Sequence, residues 1–149
     1  MTHPGTTGSF ANAVNGMSEA VLREVARLLR RLATEPDFSD AIDLNSLPMG
    51  EPERDRLRDR LGYGEVQAAL DAAGPTHIAE TAYSGVWWVH YGDVNGNAAL
   101  EQIVVARVPE LLLAHPSGIH DASARLTGEL GAAAISSRGS VETAATARD

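Results

Sequence analysis

Between residues 17 and 36, "MSEAVLREVARLLRRLATEP", apolar side chains recur at Val21, Leu22, Val25, Leu28, Leu29 and Leu32 with polar residues between them. Wound at 3.6 residues per turn, they form one stripe and predict an amphipathic helix, with Ser18 as its N-cap and Pro36 as its stop. A shorter helix is predicted from about 51 to 61 in "LPMGEPERDRLRDRLGYG", closed by Gly62. Then the period changes from 3.6 to 2. "GEVQAALD" alternates, with Val66, Ala68 and Leu70 on one side, and "AAGP" at 72–75 breaks the chain. "THIAETAYSGVWWVHYGD" follows as a long extended run, with Ser84-Gly85 as a bulge or break within it. "GDVNGN" at 92–97 reads as a turn, and "AALEQIVVARVPE" resumes as a strand. Pro109 ends that strand and opens a short helix, "PELLLAHP". A last helix at about 117–130 is expected to carry Ile119, Ala122, Leu126 and Leu130 inward.

These elements make an α+β fold: an antiparallel sheet of three to four strands flanked by N-terminal and C-terminal helices. Residues 1–17 and 132–149 are polar or small and lack periodicity, so they are expected to be a disordered leader and tail around one domain at 18–131.

The chain has seven aromatic residues, and four of them (Tyr83, Trp87, Trp88 and Tyr91) fall within nine positions. In a strand, neighbouring side chains point to opposite faces, so the two tryptophans put one ring on each face. Trp87, Val89 and Tyr91 share one face, and Val86, Trp88 and His90 the other. The first set is the more apolar and is assigned to the side covered by helices. Trp88 then lies beside His90 near an edge or open surface, where tryptophan suits a protein-docking face. The alternative is that helices cover both faces and both rings are core.

Charge and chemistry narrow the function. The formal net charge is −8, all twelve basic residues are arginine, and the absence of cysteine excludes disulfides, thiol catalysis and iron–sulfur ligation. The acidic balance argues against binding nucleic acid through its phosphates. No apolar run is long enough to span a membrane, and the N-terminus lacks a signal-peptide pattern, so a cytoplasmic protein is expected. Arg54, Arg56, Arg58 and Arg60 alternate with acidic residues and read as a solvated helix face. The five histidines are scattered, no phosphate-binding, hydrolase or metal motif is present, and no metal or cofactor is expected. Glu80, in the sheet run, is the one carboxylate placed to have a raised pKa beside tryptophan, yet no nucleophile accompanies it.

Three segments in order, "LGYGEVQAAL", "HIAETAYSGVWWVHY" and "ARVPELLLAHPSGI", resemble the C-terminal domain of the HupH/HyaF/HoxQ family of nickel–iron hydrogenase assembly proteins. The resemblance covers about 47–130 and places the family's motif on Gly64, Glu65 and Val66, on Glu80 and Thr81, and on Gly85, Val86, Trp87 and Val89. In the family pattern the first tryptophan of "VWWV" is the more regular one, which implies that Trp87 is structural. This chain is much shorter than the longer members. The resemblance implies an accessory protein and not an enzyme, one that holds the iron–sulfur small subunit of the hydrogenase during maturation, alone or with other maturation proteins. Glu65, Glu80, Trp87, Trp88, His90 and Tyr91 are the candidate partner-binding residues, on a sheet face or edge. The alternatives are a small-molecule-binding or enzymatic α+β domain using Glu80 and a histidine in a pocket, and a homodimer that buries the tryptophan face.

Overall fold

The computed structural model describes residues 8–71 and 74–146. The elements are α1 (Gly8–Thr34), β1 (Ser39–Asp43), α2 (Glu51–Leu61), β2 (Gln67–Asp71), β3 (Pro75–Glu80), β4 (Val86–Gly92), β5 (Ala98–Ala106) and α3 (Pro116–Thr146), with short 3-10 turns at Leu44–Ser46 and Glu110–Leu112. Residues up to Leu111 form one compact unit, and those from Leu112 onward a second.

The first unit is built on a five-stranded antiparallel sheet of order β1-β5-β4-β3-β2. The strand absent from the sequence reading is β1. "SDAID" carries two aspartates and no apolar alternation, so its strand character comes from pairing with β5 and not from its own residues. The break at Ser84-Gly85 is real and divides the extended run into β3 and β4.

α1 buries the expected stripe: Val21, Val25, Leu28 and Leu32 are core residues, and Leu22 and Leu29 pack against them. Its start differs from the expectation, since the helix begins at Gly8 and Ser18 lies inside it. Ser18 is buried, and its Oγ–H donates to the Glu53 carbonyl at 3.2 Å, so the hydroxyl joins α1 to α2 instead of capping a terminus. α3 likewise continues through 132–146. The expected disorder at 1–7 and 147–149 lies outside the described residues. Ile119, Ala122, Leu126 and Leu130 are exposed on α3, not inward as the sequence suggested. The described structure of the second unit from Pro116 on is one helix, and a single helix has no interior of its own.

Directly paired residues of an antiparallel ladder share a face. Val86, Trp88 and His90 therefore face the same way as Val105, Ile103 and Glu101 of β5. This is the helix-covered face: Val86, Trp88, Ile103 and Val105 form one core cluster with Val21, Val25, Leu28 and Leu32 of α1 and Leu57 and Leu61 of α2. The assignment of Trp87, Val89 and Tyr91 to the helix side is thus reversed. His90 misled it, because a polar residue can lie under a helix layer when a carboxylate meets it. Trp87 on the opposite face is also buried, at 6% exposure against 7% for Trp88, together with Val89 and Ile78. Its Nε1–H donates to the Ala106 carbonyl at 3.0 Å. Both rings are core, and neither forms an open docking surface.

Gly85 turns the chain from β3 into β4 at φ 85, and a Cβ there would stand 2.9 Å from Leu32 Cδ2. Gly85→Ala should cost about 1–3 kcal/mol through left-handed strain and displacement of Leu32, measured by thermal or urea unfolding. An unchanged midpoint would show that the turn relaxes freely. At the β4–β5 hairpin the Asp93 carboxylate accepts the Asn95 and Asn97 backbone N–H groups, both at 2.8 Å. These bonds, led by Asn97, hold its pKa below the usual carboxylate value. A depressed folded pKa contributes stability above the unfolded value, lost as pH falls through the folded one. Asp93→Asn should therefore flatten the acid limb of the stability curve below about pH 4 while leaving its shape near neutrality unchanged.

Candidate functional site

α2 sets two arginines, Arg54 and Arg58, one turn apart and aimed at a single carboxylate on β5. Arg58 Nη2 lies 3.1 Å from Glu101 Oε1, and Arg54 Nη1 lies 3.5 Å from Oε2. His90 Nδ1, across the strand pair, is 3.0 Å from the same Oε1. The Glu101 side chain is 10% exposed, and its backbone N–H donates to Asn45 Oδ1 at 3.2 Å. The Arg58 guanidinium also lies over the Trp88 ring, 4.7 Å from its centroid. These two arginines are therefore not part of a solvated helix face. They pin α2 to the sheet through an anion that needs all three cationic or protonatable neighbours. The sequence carried one sign of this, arginines at i and i+4, but nothing that pointed to Glu101.

Trp88 Nε1 is buried without a hydrogen-bond partner among the described residues. Beside the ring a cleft of about 60 Å³ is lined by Arg58, Tyr63 and the end of β3 from Ala79 to Thr81. Glu80 is half-buried and pairs with Trp87, so its side chain lies on the face opposite to His77 and His90, which pair with each other. No histidine of β3 or β4 therefore joins Glu80 in a pocket. Its backbone does more than its carboxylate: Glu80 C=O accepts from Gly64 N at 2.7 Å, and Glu80 N–H donates to Val66 O at 2.9 Å. A Cβ on Gly64 would lie 2.6 Å from the Thr81 carbonyl, so only glycine lets the exit of α2 cross the end of β3 here. Tyr91 is half-buried, its phenol pKa is raised by that burial, and its hydroxyl reaches Gln102 Oε1 only at 3.5 Å. Glu65 is exposed just ahead of β2. Of the six candidate residues, the structure brings Trp88 and His90 together around Arg58 and Glu101, sets Trp87, Tyr91 and Glu80 on the other face, and leaves Glu65 apart near the sheet edge. Among the described residues, no group of three or more histidine, aspartate or glutamate side chains is placed to hold a metal.

With the central faces buried, the open backbone lies at the edges. Backbone bonds from Thr81 N to Val86 O and from Glu80 N to Val66 O fix which residues of β3 face which neighbour. By that alternation, Ala68 and Leu70 bond to β3, and the N–H and C=O groups of Gln67, Ala69 and Asp71 point outward from β2. The opposite edge, β1, is blunted: Ala41 N–H points outward and is taken at 2.8 Å by the Asp40 carboxylate. No described residue caps the outward groups of β2.

Removing the Glu101 carboxylate leaves Arg54, Arg58 and His90 facing one another. Glu101→Ala is expected to destabilise the fold by about 2–3 kcal/mol, less than a fully buried pair because both arginines reach water. Urea unfolding checks this, and the Trp88 emission should shift as Arg58 leaves the ring.

Residues 15–133 match the HupH hydrogenase expression protein, C-terminal conserved region. The hydrogenase expression/formation protein HoxQ of Azotobacter vinelandii is 33% identical over 86 residues, 58% of this chain and 30% of that protein. The hydrogenase-1 operon protein HyaF of Escherichia coli is 30% identical over 87 residues, again 58% of this chain and 30% of the relative. The chain thus spans about a third of the length of these relatives. The solved structure of the hydrogenase expression protein HupH from Thiobacillus denitrificans has a TM-score of 0.73 and 34% identity, covering 78% of this chain and 96% of that one. The match over 15–133 takes in the whole sheet, α2 and most of α1: the chain belongs to the family of the HupH hydrogenase expression protein, C-terminal conserved region.

Proposed function

We propose that this chain is an accessory factor in nickel–iron hydrogenase maturation, binding the iron–sulfur small subunit before it joins the large subunit, and that it works by holding its partner and not by catalysis. The observation that carries the reading is the family match over 15–133, which includes every element of the sheet. The site chemistry is compatible with it. The buried charges around Glu101 are used against one another, and Glu80 is separated from both strand histidines. Binding through a sheet face is not favoured, because Trp87 and Trp88 are both buried; an edge remains. No described helix is long and apolar enough to cross a membrane.

The test is co-purification of the tagged full chain from cells making their own hydrogenase, read by mass spectrometry. Recovery of small subunit without mature large subunit is the expected result. Recovery of no hydrogenase component, from cells shown to be making the enzyme, would overturn the reading.

A further inference from the structure

We propose that the open edge of β2 docks an extended segment of the partner protein as a sixth strand, and that this segment carries arginine or lysine at both ends of a short stretch with apolar residues at alternate positions. The inference deepens the accessory-factor reading and rests on it for the partner's being a protein; the recognition chemistry comes from the strand itself.

The two sheet edges differ in a way that favours this one. On β1 the outward Ala41 N–H is occupied by Asp40, and aspartates stand at positions 40 and 43 of a five-residue strand. β2, "QAALD", has outward backbone groups at Gln67, Ala69 and Asp71 that no described residue fills. An exposed strand with free donors and acceptors pairs with another chain unless something blunts it. Its side chains then specify the occupant. Ala68 and Leu70 are half-buried on the face that holds Ile78, so an added strand would extend that apolar surface with every second residue. On the other face Gln67 and Ala69 are exposed, and Ala69 is small enough to let a neighbouring side chain lie flat. Glu65 before the strand and Asp71 at its end are both exposed and carry like charge at either end of the pairing stretch. Opposite charges facing one another across a ladder stabilise it, and like charges oppose it. The net charge of −8 adds a long-range preference for a basic segment.

The probe is a nine-residue peptide of alternating threonine and valine with arginine at both ends, titrated against the full chain by fluorescence anisotropy. A second peptide has glutamate at both ends, and a third is N-methylated at its central valine. The arginine-ended peptide should bind saturably, the glutamate-ended one about tenfold more weakly, and the N-methylated one not at all. Glu65→Arg combined with Asp71→Arg should reverse the order of the first two. Ala69→Pro removes an outward N–H and leaves the ladder to β3 intact, so it should abolish binding with an unchanged melting temperature. Equal binding of all three peptides would overturn the proposal without relying on any variant of the protein. If the hydrogenase small subunit co-purifies equally with wild type and a folded Ala69→Pro chain, the edge inference falls and the accessory-factor reading stands. If the peptides behave as expected but no hydrogenase component is recovered, the reading falls and the edge site stands.

Discussion

Two adjacent tryptophans in the middle strand of the sheet constrain almost everything else. A strand cannot turn both rings to the same side, so β4 needs a covering layer for Trp88 and a separate burial site for Trp87. The α1–α2 layer meets the first need, with the leucine and valine stripe of α1 laid over Val86, Trp88, Ile103 and Val105. On the other face, Trp87 ties its indole N–H to the Ala106 carbonyl, so its one polar atom is satisfied where the ring is buried. Losing either ring removes a large part of a core, of the order of 3–5 kcal/mol by analogy with other aromatic truncations.

The same constraint explains where polar chemistry sits. The helix layer over Trp88 meets the sheet at a rim where His90 and Glu101 face each other across β4 and β5. A carboxylate this sheltered is costly unless compensated, and Arg54, Arg58 and His90 compensate it. Arg58 serves twice, as a donor to Glu101 and as a cation over the indole. The cluster that most resembles an active site in its composition is therefore a clasp between layers. Away from the clasp, the two sheet edges differ, with β1 blunted by Asp40 and β2 open among the described residues.

Two glycines have a common geometric reason. Gly64 allows the chain leaving α2 to run against the Thr81 carbonyl, and Gly85 allows β3 to turn into β4 beneath Leu32. Both let the backbone pass at the ends of β3 where a Cβ would collide.

Sequence alone determined the local elements and the family. The α1 stripe, the α2 boundaries with Gly62, the break at Gly85 and the turn at Asn95-Gly96 were legible because each rests on short-range periodicity or turn chemistry. Tertiary structure decided what depends on residues far apart in the chain. β1 exists because β5 pairs with it, though its own residues read as loop. The side of the sheet that receives the helices could not be read locally, because His90 lies under them only by meeting Glu101, eleven positions away, beside arginines from α2. Ser18 became an interhelical bond, and Ile119, Leu126 and Leu130 form no core, because burial is a property of what the chain packs against and not of the stripe itself. Periodicity shows that a helix or strand has two sides; only the packed structure says which side meets protein and which meets water.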